Sequence, residues 1–229
     1  MLVDKPLRSF FKIFLPPREA FNTWSHLLGA IVAVIWTFFL ILKADGADTG
    51  EMAAYWIYGI SVVLMFWSSA LYHTLNAPDN VLEHFRRFDH ILIYVVIAGS
   101  YTPTCAIPLE GPWARWMLIG IWSFAILGIL KKTLWMNAPR WFSTALYLLM
   151  GWVALILFPM IWDILPHAFT YWIIIGGLFY TIGAVIYGIR KPNPIPGHFG
   201  FHEIWHLFVL GGAFSHFWAI YQYLPGFNS

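Results

Sequence analysis

Three groups of residues have types and spacings that suit chemistry. The first is Ser69-Ala-Leu-Tyr-His73, in which a hydroxyl and an imidazole lie four residues apart. The second is Asp89, which follows Arg86-Arg87 at the start of an apolar stretch. The third is His202-Glu-Ile-Trp-His206, two imidazoles again four apart. On a helix, four residues is about one turn, so each pair shares a face. Two stacked imidazoles at that spacing can chelate one ion. Two or three histidines with an oxygen donor suit Zn²⁺, and three histidines with an open fourth position match a catalytic zinc site.

Taken singly, each group also has an ordinary explanation. Ser69 could be a small packing residue between helices. Asp89 could answer the charge of Arg86 or Arg87, or sit at a helix start where the dipole favours it. The histidine pair could bond to backbone or interfacial water. The string HEIWH also spells the zincin pattern, with Glu203 as general base. That reading needs a third ligand downstream, and only His216 follows; no Asp or Glu occurs after Glu203. On a helix Glu203 is rotated about 100° from His202, which points it toward another element.

The elements that must position these groups are membrane helices. Of the 229 residues, 60% are hydrophobic and 10% charged, with 20 Phe, 14 Trp and 11 Tyr, and the mean hydropathy is +0.68. Soluble domains run nearer 45–50% apolar and about 25% charged. The composition excludes a soluble globular domain and a disordered chain, and it lacks the strict alternation of an outer-membrane barrel. The net charge of +2, with no Lys/Arg-rich run, gives no sign of nucleic-acid binding. The single cysteine, Cys105, permits no intrachain disulfide and reads as a small packing residue. The first 22 residues contain Pro16-Pro17 and no continuous apolar run, unlike a cleaved signal peptide.

A membrane helix needs about 20 mostly apolar residues. Seven stretches qualify: 23–43, 53–75, 87–108, 113–131, 141–161, 169–189 and 201–223. The expected fold is therefore a single all-α domain, a seven-transmembrane helical bundle. Residues 2–18 mix apolar side chains with Lys5, Arg8 and Lys12, as in a short helix on the membrane surface. On this layout Lys5, Arg8, Lys12, Arg18, Arg86, Arg87, Lys131, Lys132, Arg140, Arg190 and Lys191 fall on one side, and only Lys43 and Arg115 on the other. The eleven-to-two asymmetry places the N-terminus in the cytoplasm and the C-terminus outside.

The same layout gathers the polar residues. His26, His73, His84, His90, His198, His202 and His206 fall near the cytoplasmic helix ends, with Glu19, Asn22, Ser69, Asp89 and Glu203. Ionisable groups in membrane spans are costly and face the bundle interior, which makes them functional candidates.

At this point the chain resembles the haemolysin III family, the bacterial branch of the progestin and adiponectin receptor (PAQR) proteins. The matching pieces are Glu19-x-x-Asn22-x-x-x-His26, Ser69-x-x-x-His73, Asp89 followed by Ala98-Gly99-Ser100-Tyr101-Thr102-Pro103, and His202-x-x-x-His206 with Gly212 and His216. The resemblance covers essentially the whole chain. It implies seven spans with a cytoplasmic N-terminus, and Zn²⁺ held by His73, His202 and His206. It also implies a water near Asp89, with Ser69 close by. The long N-terminal extension of animal receptors has no counterpart here, so a hormone-receptor role is not expected.

The leading expectation is a zinc-dependent membrane hydrolase of a lipid amide or ester, ceramidase-like by analogy. Zinc lowers the pKa of bound water and polarises a carbonyl. Asp89 would orient the water or take its proton, and Ser69 would hydrogen-bond a ligand or the developing oxyanion. Glu19, Asn22, His26 and Glu203 would support the site. Partners would be membrane lipids, in a bacterial inner membrane. The alternative is a non-enzymatic regulator in which zinc staples helices together. A pore-forming haemolysin is disfavoured because no span carries a long polar stripe, and an intramembrane metalloprotease lacks its downstream ligand.

Overall fold

The structure is a computed structural model that describes residues 13–228. The expected surface helix over 2–18 falls mostly outside the described residues, as do Lys5, Arg8 and Lys12.

Among the described residues the chain is helical throughout its regular structure, with an isolated bridge between Ile195 and Phe199. The helices are α1 (Ala20–Lys43), α2 (Thr49–Thr74), α3 (Asp79–Ala106), α4 (Pro112–Leu134), α5 (Arg140–Trp152), α6 (Phe158–Ile164), α7 (His167–Ile189) and α8 (Phe201–Tyr223). A 3₁₀ turn, Val153–Ile156, joins α5 to α6. The boundaries follow from local chemistry. Asp48 caps α2 by accepting from the Gly50 and Glu51 amides at 2.6 and 2.8 Å, an arrangement worth about 1 kcal/mol. Pro112 begins α4, where its missing N–H costs nothing.

Five helices are long and apolar enough to cross a membrane: α1, α2, α4, α7 and α8. Two of the seven expected stretches depart from that simple form. The stretch 141–161 is not one straight helix but a pair bent by 49° between Arg140–Ile156 and Phe158–Ile164, a sixth crossing if taken as one unit. Pro159 explains the break, since it cannot donate to the preceding turn and its ring crowds the carbonyl four residues earlier. The stretch 87–108 begins two turns early, at Asp79. Its first turns carry Asp79, Glu83, Arg86, Arg87 and Asp89, so α3 is long enough to span but too polar at one end to pass on apolarity.

The helices pack as a closed ring. α1, α2, α3 and α4 each pack on the next, α8 returns against α1, α7 lies on α8, and α5 bridges α7 to α3. Small residues let the backbones approach. A Cβ on Gly99 would collide with Ser61 across α2–α3, and one on Gly212 would collide with the Tyr180 ring across α7–α8. The outer surface is apolar, with Leu28, Phe38, Leu127 and Val185 exposed. The polar side chains turn inward instead, as expected where the surroundings cannot hydrogen-bond. Cys105 is buried in the core, in keeping with a packing role.

Candidate metal centre

Helix α2 delivers Ser69 and His73 in its last two turns, and α8 delivers His202 and His206 in its first two. Helix α2 runs antiparallel to α8, so these ends meet. His73 and His206 are each only 2% exposed. The ring centres form a nearly equilateral triangle, 5.1 Å for His73–His202, 4.9 Å for His73–His206 and 5.0 Å for His202–His206. One ligand nitrogen from each lies within 4.8 Å of the others. Tetrahedral ligation at about 2.0–2.1 Å puts three imidazole centres about 5 Å apart, so the triangle fits a metal ion.

The residues behind the triangle orient it. Glu19 Oε2 accepts from His73 Nδ1 at 2.8 Å, leaving Nε2 for a metal. A carboxylate behind a ligating histidine fixes its tautomer and raises its basicity. Burial would push the Glu19 carboxyl up, but His73, Asn22 and Arg18 outweigh it and hold the group at about 2. Arg18 reaches the other oxygen of the same carboxylate at 2.9 Å. Ser25 Oγ stands 3.4 Å from His206 Nδ1. Helix α1 thus supplies the outer layer to ligands carried by α2 and α8.

His26, also on α1, stacks on His206 with ring centres 3.7 Å apart. It is buried, and neither of its ring nitrogens has a hydrogen-bond partner. Asn22 donates to Glu19 at 3.0 Å and to Glu203 at 2.9 Å. Glu203 Oε2 in turn accepts from the Gly200 amide at 2.8 Å, capping α8. Glu203 is therefore committed to the helix start and to α1, and the zincin role does not suit it. His216 bonds to the Ile173 carbonyl at 3.2 Å and stands apart from the triangle.

The triangle opens onto a cavity of about 220 Å³ inside the ring. Ser69, Asp89, His26 and all three histidines line its polar end, and Phe158, Ile161 and Phe169 line its far end. Asp89 contacts His90 Nδ1 at 3.4 Å and is not one of the three grouped ligands. The arrangement is a histidine triangle that could hold a metal ion, with a carboxylate and a hydroxyl at the polar end of a mostly apolar chamber.

Ser25 and Tyr187 were missed from sequence. Ser25 carries no spacing signal beyond its place between Asn22 and His26. Tyr187 is one aromatic among many, yet its ring lies 5.7 Å from His202.

A family model described as "Haemolysin-III related" matches residues 14–217. The chain is 34% identical to Hemolysin-3 of Bacillus cereus over 208 residues, 90% of this chain and 91% of that protein. It is 32% identical to the Hemolysin-3 homolog of Bacillus subtilis over 214 residues, 92% of this chain and 96% of that one. Against the adiponectin receptor protein of Drosophila melanogaster it is 28% identical over 251 residues, 94% of this chain and 53% of the receptor.

Proposed function

The chain belongs to the haemolysin-III related family of the PAQR group and is an integral membrane protein, and from that premise we propose that it is a zinc-dependent hydrolase of a lipid amide or ester, acting in membrane lipid homeostasis. In this reading α1, α2, α3, α4, the bent α5–α6 pair, α7 and α8 make seven crossings. The N-terminus is cytoplasmic, and the protein resides in a bacterial inner membrane. The observation that carries the proposal is the histidine triangle at the polar end of the chamber, beside Asp89 and Ser69.

His73, His202 and His206 would hold the zinc. When bound, zinc supplies Lewis acidity and a lowered water pKa. The chain's own groups divide the remaining work. Asp89 would take a proton from the attacking water and pass it to the departing amine or alkoxide, and Ser69 would donate to the carbonyl oxygen as charge builds there. Phe158, Ile161 and Phe169 hold the acyl chain away from water. Glu19 and Ser25 keep the ligating rings in register.

The test uses purified full-length protein, zinc-loaded or chelator-treated, with defined N-acyl and O-acyl lipids and mass-spectrometric detection of released fatty acid. Zinc-dependent release supports the proposal; no release from either class overturns it. A second reading, a non-enzymatic regulator with structural zinc, draws on the triangle tying α2 to α8. Among the described residues the three histidines have no fourth protein ligand grouped with them, which favours the open, catalytic arrangement.

A further inference from the structure

A second polar cluster lies behind Tyr187, a residue of the chamber wall, and takes no part in the metal centre. It is built from Arg86 on α3, Lys132 at the end of α4 and Arg140 at the start of α5. Lys132 is only 4% exposed and lies within electrostatic reach of Lys131, Arg86 and Asp89. Arg140 lays its guanidinium over the Tyr187 ring at 4.6 Å and the Phe201 ring at 5.7 Å. Tyr187 lines the chamber and also touches His202, so Arg140 stands one aromatic ring away from the metal triangle.

These cations lack a close carboxylate partner. Among the described residues none of the three forms an ion pair with a carboxylate. Glu19 is taken by Arg18 and His73, Glu83 by Arg87, and Asp89 contacts His90. Arg86 Nε and Arg140 Nη1 are buried with no hydrogen-bond partner. Arg86 makes one side-chain hydrogen bond, to Asn137 at 3.3 Å. Cations that merely fix orientation lie in water at the membrane edge, as exposed Lys191 does. Lys132 is a buried ammonium with no carboxylate paired to it, and Arg86 and Arg140 are half-buried with one unpartnered nitrogen each; positive charge so placed calls for an anion. Helix α5 starts at Arg140 with no side-chain cap, so its first amides add donors and a favourable dipole at the same point.

We propose that Arg86, Lys132, Arg140 and the start of α5 form a binding site for a phosphate group, carried by a lipid whose acyl chains enter the chamber. Two guanidinium groups and an ammonium match the charge and the multiple acceptor oxygens of a phosphate. The lipid source follows from the chamber, whose lining beyond Tyr187 is mostly apolar. The inference rests on reading the chamber as a lipid compartment, but it requires no hydrolysis.

The test measures binding of defined probes to the full-length protein in detergent, by native mass spectrometry with titration. Phosphatidic acid should bind at least tenfold tighter than a diacylglycerol with the same acyl chains. Arg140→Gln and Lys132→Gln should each erase most of that difference, Arg140→Lys should restore part of it, and Lys191→Gln should leave it intact. Inorganic phosphate at millimolar concentration should fail to displace the lipid; full displacement would assign the site to free phosphate and overturn the lipid source. Equal binding of diacylglycerol and phosphatidic acid by the unaltered protein would overturn the site without any variant. Equal losses in Lys191→Gln and Arg140→Gln would do the same, by showing diffuse surface charge. Phosphatidic acid binding without fatty-acid release would sustain this inference while removing the hydrolase.

Discussion

His73 Nδ1 lies 2.8 Å from Glu19 Oε2, joining residues 54 positions apart in the chain. Their backbones meet as well, the Glu19 amide donating to the His73 carbonyl at 3.1 Å. The double contact ties the residue that precedes α1 to the last turn of α2 and leaves Nε2 of His73 for the side of His202 and His206. Glu19→Gln should therefore keep the fold but weaken the metal site. Loss of such an outer carboxylate costs about 10–100-fold in metal affinity. Competition against a graded chelator measures this, and unchanged affinity would remove Glu19 from the site.

The triangle itself predicts metal content. Purified protein should carry about one zinc per chain, and His73→Ala and His202→Ala should each lose most of it, because two imidazoles alone leave the ion half-ligated. Elemental analysis against protein concentration reads the result. Zinc retained in both variants would disprove the ligand assignment.

Asp89 separates catalysis from structure. It lines the chamber but is not grouped with the ligands. Asp89→Asn preserves size and loses basicity. The variant should remain folded and bind zinc at saturating metal, while lipid cleavage falls by about 10²–10⁴-fold. Fatty-acid release by zinc-loaded protein is the measurement, and full activity in the variant would leave the structural-zinc reading standing.

Glu203 should behave as a cap. Glu203→Ala removes its acceptor bonds to the Gly200 amide and to Asn22, a change worth about 1–2 kcal/mol of helix stability. Thermal unfolding in detergent should shift downward while zinc at saturation stays near one per chain. An unchanged melting temperature with abolished activity would favour the general-base role instead.

Topology gives a further check. Reporter fusions in the connection holding Met136 and Asn137 should read cytoplasmic, and fusions at Asn228 extracytoplasmic. The same side for both would refute seven crossings.

The sequence alone carries the membrane class, because 60% hydrophobic residues cannot be packed inside a water-soluble surface of this size. It also carries the pairs Ser69/His73 and His202/His206, since helical periodicity is local and four residues always return to one face. It reaches the common depth of these groups through the placing of Lys and Arg. The bend at Pro159 and the early start of α3 were less legible. Hydropathy measures length and apolarity rather than straightness, and the polar first turns of α3, exposed or half-buried, look like a loop in the sequence.

What only tertiary structure decided is which side chains face one another. Whether His73 meets His202 and His206, and not lipid, depends on the rotation of α2 and α8 about their axes, which packing sets. Glu203 was indistinguishable by spacing from a zincin base until α8 was seen turned with that carboxylate on Asn22. Arg86, Lys132 and Arg140 read from sequence as orientation signals, and only the packed bundle buries Lys132 and half-buries Arg86 and Arg140. Each such fact joins residues from different helices, and their relative placement is a property of the packed bundle, which no local pattern encodes.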